Sequence, residues 1–222
     1  MSQPLPTPPI AADLPSHDLI PRLLHVAWMG IVLGLIIELL LLLVLGLAGT
    51  LPAPLAIVAD TVQKVTWSTL VCAALAAAQT LGKVRTLGMA AAGLIGAPIA
   101  LLLARSAHKA VTAALGAEPA AQTATPWMLA SIKGLEYAVL GLLLLWLAKR
   151  SRGLRAHAVT GAAVGLVFVC LLTWLMPLPG LQPSLMRAIN EVLHPMGCAL
   201  VIYFGAQFGA RLGAKPGIGS DD

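Results

Sequence analysis

Charged residues are scarce in this sequence. Asp, Glu, Lys and Arg make up 10% of its 222 residues, whereas a soluble domain contains about 25%. Apolar residues account for 59%, and the mean hydropathy is +0.90. A soluble fold of this length would have to expose much of that apolar surface to water. The composition therefore excludes a soluble domain and a disordered chain, and it predicts an integral membrane protein.

Cysteines and recognisable chemical motifs are also few. The three cysteines, Cys72, Cys170 and Cys198, all lie within apolar runs. They are therefore expected to be small buried side chains rather than the partners of a secreted disulfide scaffold. The sequence contains no Walker loop and no GxGxxG, HExxH, CxxC or GxSxG motif. Its excess of basic residues is expected to flank the membrane, so no nucleic-acid partner is predicted.

Six runs are long and apolar enough for transmembrane helices, which need about 20 mostly apolar residues. They cover residues 26–48, 55–81, 86–104, 127–148, 156–176 and 184–210. The predicted fold class is all-α, a polytopic six-helix bundle that forms one domain over residues 22–213. A flexible leader is expected at 1–21 and a tail at 214–222. The connection 105–126 either extends the third helix or lies on the membrane surface in its first part, and its second part is expected to be a flexible loop.

The Lys and Arg residues are distributed unevenly between the two predicted membrane faces. If the N-terminus is cytoplasmic, nine of the 14 lie on the cytoplasmic side and five on the other. The connection 149–155 alone carries four of them. Since cytoplasmic loops are enriched in Lys and Arg, both termini are predicted to be cytoplasmic. The expected location is the cell membrane, as in a bacterial inner membrane, with the lipid bilayer as the main partner.

Glycines recur at four-residue spacing in three of the predicted helices. The pairs are Gly30 and Gly34, Gly161 and Gly165, Gly205 and Gly209, and Gly209 and Gly213. This spacing lets two helix backbones approach closely. It predicts a compact bundle in which these faces pack within one subunit, or else contact a second copy or another membrane protein.

Two acidic residues are predicted to lie deep in the membrane. Glu136 is separated from Lys149 by 12 residues, or about 18 Å of helix, well short of the roughly 30 Å hydrocarbon core. Glu38 lies near the middle of the first span. Lys64 and Glu191 are followed by uncharged runs of 18 and 19 residues, so these two can also mark the outer interface.

Polar residues on four helices share one predicted depth. A charge at the bilayer centre costs at least ~2.5–3.5 kcal/mol, so such groups are expected to face the bundle interior and to pair, as the spacing of Lys133 and Glu136 allows. We expect a polar cavity that opens to the outer side and binds a solute or an ion. Its candidate residues are Glu38, Lys64, Lys133, Glu136, Tyr137, Glu191 and His194. The alternative is a buried network that fixes the helix register without a ligand.

This pattern favours a small-solute or ion transporter or channel. Lys133 or Lys64 would then bind an anionic group, and Glu136 or Glu38 would bind a proton or a cation. One alternative is a non-catalytic subunit of a larger membrane complex. These residues favour transport over an enzymatic reaction.

A metal-dependent or redox enzyme is the other alternative. Glu191 and His194 have the Glu-x-x-His spacing of carboxylate-bridged iron sites, and Cys198 lies one turn further along the same helix. A haem would need two facing histidines, for which His25 and His157 at cytoplasmic helix ends are the candidates. Neither cofactor is strongly indicated, and the cofactor is left unknown.

Overall fold

The computed structural model describes residues 19–80, 85–116, 126–177 and 180–213, and within these ranges the chain is helical and contains no β-strand. Most of the leader, the tail from residue 214 and the second part of the 105–126 connection lie outside the described residues. The helical segments are α1 (Leu19–Leu47), α2 (Pro54–Ala78), α3 (Arg85–Ala91), a π-helical turn (Ala92–Gly96), α4 (Ala97–Ala114), α5 (Pro126–Lys149), α6 (Leu154–Leu175) and α7 (Leu181–Gly213).

The first and third rods extend furthest beyond the hydrophobic runs predicted, and α7 (Leu181–Gly213) also exceeds its predicted run of 184–210. Helix α1 begins at Leu19, inside the predicted leader, because a proline such as Pro21 is tolerated in the first turn of a helix. Helices α3 and α4 and the π-helical turn between them form one uninterrupted rod from Arg85 to Ala114. The first part of the 105–126 connection therefore continues the third span instead of turning onto the membrane surface.

Five of the helical rods are long and apolar enough to cross a membrane. Helix α2 is not among them, and it carries Asp60 and Lys64. Large apolar side chains such as Leu39, Val167 and Trp174 are exposed on the outside of the bundle, as expected for side chains that contact lipid. These features indicate a multi-pass, membrane-embedded helix bundle.

Cys170 corrects one expectation about the cysteines. The sequence predicted that all three are buried, but Cys170 is exposed on α6, whereas Cys72 and Cys198 have no accessible surface. Cys170 lies on the outer face of its helix, next to the exposed Val167. An apolar run in a membrane protein can face lipid instead of the core, because both surroundings are apolar.

The regularly spaced glycines lie where helices approach each other most closely. A Cβ atom on Gly30 or Gly34 would come within 3.0 Å of the α2 backbone, and one on Gly161 or Gly165 would do the same with α7. Gly205 faces the side chain of Val26 on α1. These five glycines pack within the subunit, which is one of the two uses that their spacing predicted.

Candidate functional site

An ion pair joins α1 and α2. The Lys64 ammonium lies 2.5 Å from the Glu38 carboxylate, which is buried, while the Lys64 side chain is 22% exposed. Glu38 lies nine residues before the end of α1, and Lys64 lies ten residues after the start of α2. Lys64 is therefore directed towards a buried partner rather than serving only as a marker of the interface.

A second charged cluster, Lys133, Glu136 and Glu191, lies between α5 and α7 and is called the triad below. The Lys133 ammonium contacts Glu136 Oε2 at 2.8 Å and also contacts Glu191 Oε2. All three residues are buried, and Glu136 has no exposed surface. Two carboxyl groups thus share one ammonium in an apolar interior. The other Glu136 oxygen, Oε1, is buried and has no hydrogen-bond partner among the described residues.

Two further groups lie close to the triad. Arg187 is one turn before Glu191 on α7, and its guanidinium donates to the backbone carbonyl of Met176 at the end of α6. The Lys133 ammonium also lies 6.0 Å from the centre of the Tyr137 ring. Arg187 is partly exposed, and it places a second positive charge next to Glu191.

His194 connects three helices through its two ring nitrogens. Trp67 Nε1 on α2 donates to His194 Nδ1 at 3.1 Å, and the Tyr137 hydroxyl on α5 contacts the same nitrogen. Ser68 Oγ lies 2.9 Å from His194 Nε2. An indole N–H can only donate, so Nδ1 must be unprotonated and the ring proton must be on Nε2. His194 therefore accepts at Nδ1 and donates to Ser68 Oγ from Nε2.

The contacts between α2 and α7 repeat after one helical turn. Ser68 meets His194, and four residues later on both helices Cys72 meets Cys198, with their sulfur atoms 3.2 Å apart. Because residue numbers increase together on both helices, α2 and α7 run in the same direction.

Helix α5 runs parallel to α7 by the same criterion. Lys133 meets Glu191, and one turn later Tyr137 meets His194. Helices α2, α5 and α7 therefore form a parallel group whose polar side chains face one another at a common level. The charged triad and the His194 contacts are consecutive layers of this group.

Three other helical segments hold this parallel group from outside at the same level. In each case a glycine lies so close to the neighbouring backbone that an added Cβ atom would fall within 3.0 Å of it. Gly34 of α1 lies against Val65, Gly93 of the π-helical turn lies against Ala138, and Gly165 of α6 lies against Glu191. Each contacted residue is next to, or is itself, a member of the polar set, so glycine packing fixes the position of the polar side chains.

The structure brings together five of the seven predicted site residues. Lys133, Glu136, Tyr137, Glu191 and His194 are linked by direct contacts. The other two, Glu38 and Lys64, form a separate pair that is connected to this cluster through α2, one turn away from Trp67 and Ser68.

The predicted cofactor ligands are engaged elsewhere. Glu191 pairs with Lys133 instead of joining His194 and Cys198, and the described residues include no group of three or more His, Cys, Asp or Glu placed to hold a metal ion. His25 stacks on Phe208 with ring centres 4.1 Å apart, and His157 packs on Tyr203. Each of the two histidines proposed for haem thus contacts a different aromatic ring of α7.

Sequence reasoning did not identify Trp67, Ser68 and Cys72 as neighbours of the α7 residues. The available signal was the equal four-residue spacing of Ser68 and Cys72 on one helix and of His194 and Cys198 on the other.

No protein family, curated protein or solved structure matches this chain.

Proposed function

We propose that the protein is a small-solute or ion transporter whose coupling site is the triad of Lys133, Glu136 and Glu191. One observation carries this proposal: two buried carboxyl groups share a single ammonium, and Glu136 Oε1 has no partner among the described residues. Arg187 lies on the Glu191 side and is partly exposed, whereas Glu136 is completely buried. A charged carboxylate at such a position is costly, so Glu136 is the group expected to take up a proton or a monovalent cation.

The surroundings of the triad suit reversible binding. Glu136 is held on α5 and Glu191 on α7, so a change in the charge of either group acts directly on the contact between two helices. Buried ion pairs stabilise a fold poorly compared with apolar side chains. Keeping three charged residues inside an apolar bundle is therefore better explained by a function than by stability.

We further propose that α2 crosses the membrane together with the five apolar helices, that both termini are cytoplasmic, and that the site opens to the outer side. Helix α2 has 25 residues and packs along α1, α4 and α7. Its polar residues Asp60, Lys64 and Ser68 all have partners on neighbouring helices. The excess of Lys and Arg in the predicted cytoplasmic connections also favours a cell membrane as the location, with a basic cytoplasmic face.

Replacing Glu136 by glutamine is expected to reduce coupled transport at least tenfold while the protein still folds. The amide keeps the size of the side chain but can no longer take up a proton or carry a negative charge. Purified protein in liposomes with a trapped pH indicator would be given sugars, amino acids, organic acids and alkali cations in turn.

The matched control is Asp60→Asn, which makes the same chemical change on a side chain that is 41% exposed and pairs with His108. It is expected to leave the flux unchanged. Undiminished pH-dependent flux in Glu136→Gln, in protein with normal unfolding temperature, would contradict the proposed coupling role.

The proposed orientation is tested by two exposed lysines at opposite ends of the bundle. Lys109 lies near the end of α4, and Lys149 is the last residue of α5. A membrane-impermeant amine reagent applied to intact cells is expected to modify Lys109 alone, and to reach Lys149 only after the cells are opened. Peptide mass spectrometry measures both sites, and the reverse pattern would show that the termini are outside.

A further inference from the structure

The two buried cysteines lie next to each other, outside the charged triad. Cys72 on α2 and Cys198 on α7 are free thiols with no exposed surface, and their sulfur atoms are 3.2 Å apart. Cys72 is oriented to donate its S–H hydrogen to Cys198. Two thiols in contact are the arrangement from which a disulfide can form.

A base lies within reach of one of these thiols. His194 Nδ1 is 3.6 Å from the Cys198 sulfur, one helical turn away on α7. This nitrogen is the unprotonated one, because the Trp67 indole N–H donates to it. Its single lone pair can take the Cys198 proton once the Trp67 N–H releases it, while Nε2–H stays bonded to Ser68. A buried cysteine is normally inert, but a thiolate formed beside such a base is nucleophilic.

We propose that Cys72, Cys198 and His194 form a buried redox site that reduces a small, uncharged hydroperoxide and is converted to a disulfide between α2 and α7. His194 takes the Cys198 proton, and the thiolate attacks one peroxide oxygen, so that the O–O bond breaks and a sulfenic acid forms. The leaving oxygen takes the proton back from His194 and departs as water or an alcohol. Cys72 then attacks the sulfenic sulfur, and its proton leaves with the hydroxyl group as water.

The position of the sulfur atoms determines which oxidants can react. Neither sulfur has accessible surface, and their neighbours along the two helices, such as Val71, Leu75 and Ile202, are apolar and buried. Entry through such a core requires a small molecule without charge, as hydrogen peroxide is. Glutathione disulfide is large and charged, so it is excluded from this site.

The test uses the full-length protein in detergent with Cys170→Ser, which removes the exposed thiol. Dilute hydrogen peroxide is expected to convert Cys72 and Cys198 to a disulfide, detected as a cross-linked peptide pair by mass spectrometry and reversed by dithiothreitol. Glutathione disulfide is expected to leave both thiols free. Persistence of two free thiols after peroxide treatment would overturn the proposal, and so would equal reaction with glutathione disulfide.

Two variants distinguish the role of His194 as a base from its role in packing. His194→Gln removes the base and is expected to slow disulfide formation about 100-fold. Trp67→Phe removes the hydrogen bond that competes for the same lone pair but keeps the base, so it is expected to react at least as fast as the parent protein. Equal rates in His194→Gln and the parent protein would exclude His194 as the base. These measurements involve no transport, so their outcome does not depend on the result of the flux experiment.

Discussion

Replacing Lys133 with methionine is expected to destabilise the protein by about 3–5 kcal/mol, because it leaves two buried carboxyl groups without their shared counter-charge. Lys133 contacts both Glu136 and Glu191, and all three are buried. Methionine has a similar length and fills a similar volume, so the loss of charge dominates over the loss of packing. Thermal unfolding in detergent, followed by tryptophan fluorescence, measures the effect.

If the unpaired carboxyl groups cause the loss of stability, removing their charge should restore it. Adding Glu136→Gln and Glu191→Gln to Lys133→Met makes the cluster neutral, and most of the lost stability is expected to return even though three native residues are missing. The matched control is Lys109→Met, an identical change at an exposed position on α4, which is expected to have little effect. If Lys133→Met were as stable as Lys109→Met, the carboxyl groups would not depend on Lys133.

The second large effect is expected from adding one methyl group to Gly93. Its neighbours are backbone atoms of Tyr137 and Ala138, which cannot move aside as a flexible side chain can. Gly93→Ala must therefore separate the π-helical turn from α5, and it is expected to cost about 3 kcal/mol. The displacement would also move Tyr137 away from His194, which it contacts.

Gly46→Ala is the matched control for this change. Gly46 is also within a long apolar helix, but a Cβ atom there would meet only Leu51 side-chain atoms, at 3.7 Å or more. The substitution is expected to be neutral or slightly stabilising, because alanine favours a helix more than glycine does. Unfolding temperatures of both variants decide the comparison, and equal stability would show that α5 tolerates a wider separation.

The burial of Glu136 inside the bundle could be predicted from the sequence, because that prediction needs only helix length and hydrophobicity. The run between Glu136 and Lys149 is too short to span the hydrocarbon, and the structure indeed buries Glu136 completely. The spacing of Lys133 and Glu136 also indicated their ion pair, since residues three apart share a helical face. The approximate positions of the apolar helices follow from the same two properties, whereas their ends do not: α1 begins at Leu19 and the third rod continues to Ala114.

Contacts between helices could not be predicted in the same way. The spacing of Glu191 and His194 shows that they share a face, but it does not show which helix that face meets. The pairing of Glu191 with Lys133, and of Cys72 with Cys198, depends on the relative translation of three helices. That translation is set by backbone contacts at Gly34, Gly93 and Gly165, which carry no recognisable chemistry of their own.

These glycine contacts also determine what a genetic screen of this protein would return. Random mutagenesis followed by selection for inactive variants should recover Gly34, Gly93 and Gly165 as often as the acidic residues. Each of the three lies on a surrounding segment whose close backbone contact sets the position of the polar helices. A map of inactivating positions would therefore show these three glycines around the buried charged residues. Interpreted one at a time, the glycine mutations would look like unrelated structural defects, although they all act on the position of the same polar helices.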